Sequence, residues 1–154
     1  MNLLLHEAGI NSCYVSNNDH AWVIAEIGGH YFHVDPTWDD MDTIIYDWFL
    51  RTDDQITFDK DHSEWKLTMP SAMHSFQWDY LPACEEKMGD VNSDGIVDGR
   101  DATDILTAYA KAAVGAETEI DSVLADVDFS GRITAADASK VLTEYAKESA
   151  ESDK

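Results

Sequence analysis

The first part of the chain reads as short strands, and the last third switches to helical spacing. Cys13-Tyr14-Val15 predicts a brief strand and the run from His20 to Ile27 a longer one. Gly28-Gly29 between Ile27 and His30 predicts a two-residue hairpin turn, followed by a strand from Tyr31 to Asp35 that Pro36 ends. Ahead of these, Leu3 to Ala8 predict the last turns of a helix closed by Gly9. Residues 42–50 predict a short buried helix, and Asp53 to Asp61 an acidic loop around a brief strand, Gln55 to Phe58. Further on, Ile105, Leu106 and Tyr109, then Val141, Leu142 and Tyr145, predict apolar stripes on two helices. Residues 151–154 predict a disordered tail.

Composition divides this pattern in two. All five Trp and all six His lie before residue 89, whereas the segment after it is rich in Ala, Asp and Thr, so a domain boundary is expected between Lys87 and Gly89. Residues 1–88 carry a net charge of −12 and residues 89–154 one of −9, together the −21 of the chain. That sign argues against nucleic acid or an anionic membrane as partner, since phosphate contacts need clustered Lys and Arg. The opening MNLLLHEAGI lacks a basic segment and a full apolar core, so no export signal is expected within this chain. Cys13 and Cys84 are compatible with two buried free thiols or with one disulfide.

The acidic residues near the C-terminus are spaced as cation ligands. DVNSDGIVDGRD places oxygen side chains at loop positions 1 (Asp90), 3 (Asn92), 5 (Asp94), 9 (Asp98) and 12 (Asp101), with Gly95 at the sharp turn and the Ile96 carbonyl at position 7. Calcium takes six to eight hard oxygens, and a twelve-residue loop supplies them when alternate residues point inward. The pattern returns in DVDFSGRITAAD, through Asp126, Asp128, Ser130, the Arg132 carbonyl, Thr134 and Asp137, with Gly131 at the turn. Two bound calcium ions are therefore expected. The helices that follow, DATDILTAYAKAAV and DASKVLTEYAKESA, repeat as well.

Position 12 is Asp rather than the bidentate Glu of a sensor EF-hand, and the first loop follows Met88-Gly89 directly. This loop–helix, linker, loop–helix pattern resembles a type I dockerin over about residues 89–150. The resemblance implies a small all-α duplicated calcium module that docks on a cohesin domain of a scaffoldin. It also implies that the protein is secreted, works on a cellulosome-like scaffold in polysaccharide breakdown, and is a monomer before docking. Loop positions 10 and 11, Gly99-Arg100 and Ala135-Ala136, would be the cohesin contacts. These pairs differ sharply, so one dominant docking orientation is expected.

In the first domain, the hairpin fixes one candidate catalytic pair. If Ile27 faces His30, then Ile24 faces His33 and Trp22 faces Asp35, which sets His20 one diagonal step from Asp35, within reach of an imidazole–carboxylate bond. Such a carboxylate orients a general base. The text NDHAWVIAEIGGHYFHVDPTWDD resembles the His–Asp hairpin of the transglutaminase-like superfamily over roughly Asn2 to Asp40. That resemblance implies an α+β, papain-like domain fragment in residues 1–88, with His20 as general base, Asp35 as its orienting partner, and a cysteine nucleophile upstream of Met1. Cys13, on a strand without a helix N-terminus to lower its thiol pKa, is a poor substitute. Trp65, Trp78 and Tyr80 read as packing residues, and His62 and His74 lie too far apart in sequence for a zinc site.

Overall fold

The computed structural model describes residues 1–40, 45–57, 60–67 and 81–152, and the chain falls into two compact units, Met1–Glu85 and Glu86–Lys154. The first is a sheet with short helices. Helix α1 (Asn2–Glu7) ends at Ala8 and Gly9, whose φ of 78° suits a residue without a Cβ. Strands β1 (Ser12–Ser16), β2 (Ala21–Ile27), β3 (His30–Val34), β4 (Phe49–Arg51) and β5 (Lys66–Leu67) form one sheet in the order β4-β3-β2-β1-β5, every described pair antiparallel. Gly28 and Gly29 both have positive φ, as the two-residue turn requires, and the register is Ile27 opposite His30 and Ile24 opposite His33.

One face of the sheet carries the core that matters for the site. Cys13 and Val15 of β1 pair with Ile24 and Trp22 of β2, and these four pack with Ile56 and Cys84, flanked by Tyr31, Trp48 and Trp65. Cys13 and Cys84 are both buried and are not joined in a disulfide, which decides between the two possibilities left open by their spacing.

Two local expectations fail here. Within residues 42–50 the described part holds no helix, and Phe49–Arg51 is instead the edge strand β4, paired with β3. A short helix α2 forms earlier, over Pro36–Asp39, where Pro occupies the first turn and Asp35 caps the N-terminus. The strand expected from Gln55 is helix α3 (Asp53–Ile56), set by a capping box in which Thr52 and Gln55 bond each other's backbone N–H. His74, Trp78, Tyr80 and Phe58 lie outside the described residues.

The second unit consists of helices α4 (Gly99–Ala113), α5 (Ser122–Ala125) and α6 (Ala135–Ser152), with α4 packed on α6. Helix α6 continues to Ser152, past the start of the tail expected from residue 151, and residues 153–154 lie outside the described residues. The core is Val97, Ala102, Ile105, Ala125, Val127, Ala138 and Val141. Only the first member of each expected stripe is buried. Ile105 and Val141 face inward, whereas Leu106, Tyr109, Leu142 and Tyr145 are each 43–46 % exposed. Small residues explain the shift: Ala102, Ala108 and Ala138 let the helix backbones approach, which turns the larger side chains outward. Gly89 is part of the same close packing, because a Cβ there would stand 3.1 Å from Val97 and 3.3 Å from Val141.

Candidate functional site

Each loop of the second unit is built by its first aspartate. Asp90 accepts from the N–H groups of Asp94 (3.1 Å) and Gly95 (2.7 Å), and Asp126 accepts from those of Ser130 (2.9 Å) and Gly131 (2.7 Å). Ser93 and Phe129, at equivalent positions, both turn through φ 59°. The last aspartate closes each loop. Asp101 accepts from Val91 (3.0 Å) and Asp98 (2.9 Å), while Asp137 accepts from Asp128 (3.1 Å) and Thr134 (2.8 Å). Asp101 and Asp137 are fully buried.

The loops diverge in how their carboxylates are compensated. In the second, oxygens of Asp126, Asp128 and Asp137 all lie within 4.8 Å of one another, and the Ser130 hydroxyl donates to the Arg132 carbonyl at 3.1 Å. The hydrogen bond from Ser130 holds the Asp128 carboxyl below the usual carboxylate range. This is a hard-oxygen donor set of the kind calcium takes, so the residues fit that ion. In the first loop the Arg100 guanidinium reaches back to Asp94 (3.0 Å) and Asp98 (3.1 Å). Arg100, expected to face a partner, is thus engaged with its own loop; Gly99, Ala135 and Ala136 are exposed beside the helix starts.

In the first unit, the structure brings His20 and Asp35 together. The turn before β2 is fixed by Asn17, whose side-chain oxygen accepts from the His20 N–H at 2.8 Å, and the His20 Nε2 then meets Asp35 Oδ2. Asp35 is fully buried, and its other oxygen accepts from the N–H groups of Thr37 (2.9 Å) and Trp38 (3.4 Å) at the start of α2. The His20 ring lies against Trp22, 5.7 Å between centroids and nearly parallel, with its side chain 17 % exposed. Nε2 being occupied, Nδ1 is the nitrogen left for chemistry.

His62, considered in the sequence only as a zinc ligand with His74 and set aside as such, is the third member of this group. It stands in a single 3-10 turn (Lys60–His62) and its Nε2 lies 2.9 Å from the same Asp35 Oδ2. Its position 27 residues from Asp35 leaves no local spacing signal by which the sequence could reveal the contact. Cys13 is no nucleophile candidate in this geometry: it is fully buried in the core, and burial pushes its thiol up to about 11. Cys84 groups with His33 and Asp53 instead.

That neighbouring group makes a pH prediction. His33 is fully buried, its Nδ1 accepts from Trp22 Nε1 (2.8 Å), and its Nε2 donates to Asp53 (2.8 Å). Burial lowers its pKa from 6.5, with Asp53 opposing. The unfolded chain therefore binds this proton more readily, so stability is present above about pH 6.5 and is lost as pH falls below it, by up to about 1.4 kcal/mol per pH unit. Because every Trp precedes residue 89, urea unfolding followed by Trp fluorescence reads this unit alone. The midpoint should drop from pH 7 to 5.5 in the wild type and drop less in His33→Gln; equal slopes refute the assignment.

Residues 88–143 match the family model of the dockerin type I domain. The match brings cohesin docking and calcium binding, in general terms, to this segment. No curated protein matches the chain. Among the described residues, no helix is long and apolar enough to cross a membrane.

Proposed function

We propose that this chain is an anchored module: its second unit binds two calcium ions, docks on a cohesin of a scaffoldin, and delivers the first unit to an extracellular, cellulosome-like assembly that degrades polysaccharide. The observation that carries this reading is the repeat of one hydrogen-bond scheme in two loops of the segment matched to type I dockerins. The calcium ligands would be Asp90, Asn92, Asp94, Ile96 O, Asp98 and Asp101 in one loop, and Asp126, Asp128, Ser130, Arg132 O, Thr134 and Asp137 in the other. An ion supplies positive charge to a unit whose acidic residues far outnumber its Lys and Arg.

The cohesin contacts are proposed at Gly99-Arg100 and Ala135-Ala136, with the second pair dominant. Docking would bury the exposed Ala135 and Ala136 at little desolvation cost, whereas Arg100 would first have to leave Asp94 and Asp98. The test is cohesin affinity by calorimetry for Gly99→Asp/Arg100→Glu and, separately, Ala135→Asp/Ala136→Glu. The second double variant should lose at least tenfold and the first much less. If each alone keeps wild-type affinity and only the combination fails, the module docks both ways and the asymmetry is refuted.

A second reading concerns the first unit, and the His20–Asp35 bond favours it. On this reading the unit belongs to a transglutaminase-like, cysteine-dependent acyl-transfer or peptidase domain, with His20 as general base through Nδ1 and Asp35 holding its tautomer. The reading requires a thiolate, which Cys13, buried with its thiol pushed up to about 11, does not provide. Its structural signature is a slowly exchanging His20 Nε2–H proton that disappears in His20→Gln.

A further inference from the structure

We infer that His62 is a positioning residue that fixes the Asp35 carboxylate for His20; the inference rests on the reading of His20 and Asp35 as a base and its orienting partner. Three observations carry it. First, His20 and His62 converge on one oxygen, Asp35 Oδ2, while Oδ1 is held by Thr37 and Trp38. A carboxylate pinned at both oxygens cannot swing about its own axis, and His20, partly exposed, is a weak anchor by itself.

Second, His62 is itself immobilised. It is fully buried, stacks on Trp48 with centroids 4.4 Å apart, and meets the edges or faces of Trp38 (4.8 Å) and Trp22 (5.0 Å). One side chain registers both histidines: Asn17 accepts from the His20 N–H and donates through Nδ2 to the Asp61 and Ser63 carbonyls on either side of His62.

Third, the remaining nitrogen settles which chemistry the group performs. Among the described residues His62 Nδ1 is buried with no hydrogen-bond partner. Two imidazoles and a carboxylate within 4.8 Å also have the composition of a metal site. A metal on His62 Nε2 would force the proton onto Nδ1, where a ligating histidine normally donates to an acceptor and where the described residues supply none. A bare Nδ1 and a protonated Nε2 leave no such orphan donor, so His62 donates Nε2–H to Asp35.

The test is NMR on the full chain labelled with 15N at histidine. The wild type should show two slowly exchanging imidazole protons, on Nε2 of His20 and of His62. His62→Phe, which keeps a ring against Trp48 but has no donor, should make the His20 Nε2–H exchange with water on the order of tenfold faster. His62→Gln, whose amide restores a donor, should return it toward the wild-type rate. A His20 proton that exchanges equally slowly in His62→Phe overturns the positioning role, and its absence from the wild type overturns the base-and-partner reading beneath it. Should His62→Phe fail to fold, the wild-type spectrum still decides, because a proton on His62 Nδ1 refutes the assignment. Loss of both Nε2–H signals on adding micromolar zinc would likewise overturn it in favour of a metal site.

Discussion

Chelation of calcium with EDTA should abolish most of the helical circular dichroism of α4 and α6 while leaving the Trp fluorescence of the first unit unchanged. Asp101 and Asp137 are fully buried carboxylates at the starts of these helices, and oxygens of Asp126 and Asp128 lie within 4.8 Å of Asp137. Like charges at this density are tolerated when a divalent ion sits among them, and a small core offers little to offset their repulsion. A site filled to a thousand times its Kd adds about 4 kcal/mol, so two such sites rival the entire stability of a domain this size. The experiment is a pair of thermal melts on the whole chain, read at 222 nm and by fluorescence, with 1 mM calcium or excess EDTA. Retention of helicity and of the melting temperature after chelation would sink the calcium-dependent fold.

The second large effect is expected from Asp35→Ala. This carboxylate accepts from four donors, His20 Nε2, His62 Nε2 and the N–H groups of Thr37 and Trp38, and truncation leaves the buried ones among them unpaired together. A buried charged acceptor with this many partners is worth about 3–5 kcal/mol when removed alone. His20→Ala removes a single donor from a partly exposed position and should cost about 1 kcal/mol. Urea unfolding followed by Trp fluorescence separates the two variants. A smaller loss for Asp35→Ala than for His20→Ala would mean that Asp35 does not organise this end of the sheet.

Much of the geometry was legible in the sequence where its cause is local. Coordination loops announce themselves because alternate oxygens and one glycine must fall within twelve residues, and Asp90 to Asp101 and Asp126 to Asp137 do so. The hairpin was legible for a similar reason: Gly28-Gly29 sets a two-residue turn, the turn sets the register, and the register sets His20 beside Asp35. Helix α3 also had a local signal, the Thr52–Gln55 capping box, which lies inside the segment expected as a loop and brief strand.

What only the tertiary structure decided is the set of contacts made by residues remote from one another or competing for the same partner. His62 joins Asp35 because the 3-10 turn carrying it folds over Trp48 and Trp38, and no periodicity encodes that approach. Arg100 could equally have pointed to solvent, and the folded loop turns it onto Asp94 and Asp98. Leu106, Tyr109, Leu142 and Tyr145 look like core in a helical pattern, yet the close packing of α4 on α6 buries alanines in their place. By itself the sequence determined the hairpin, the His20–Asp35 pair and the repeated acidic spacing of the two loops, since each depends on residues close along the chain. The third member of that pair's network and the exposed faces of the helices depend on how whole elements pack, which is a property of the assembled fold.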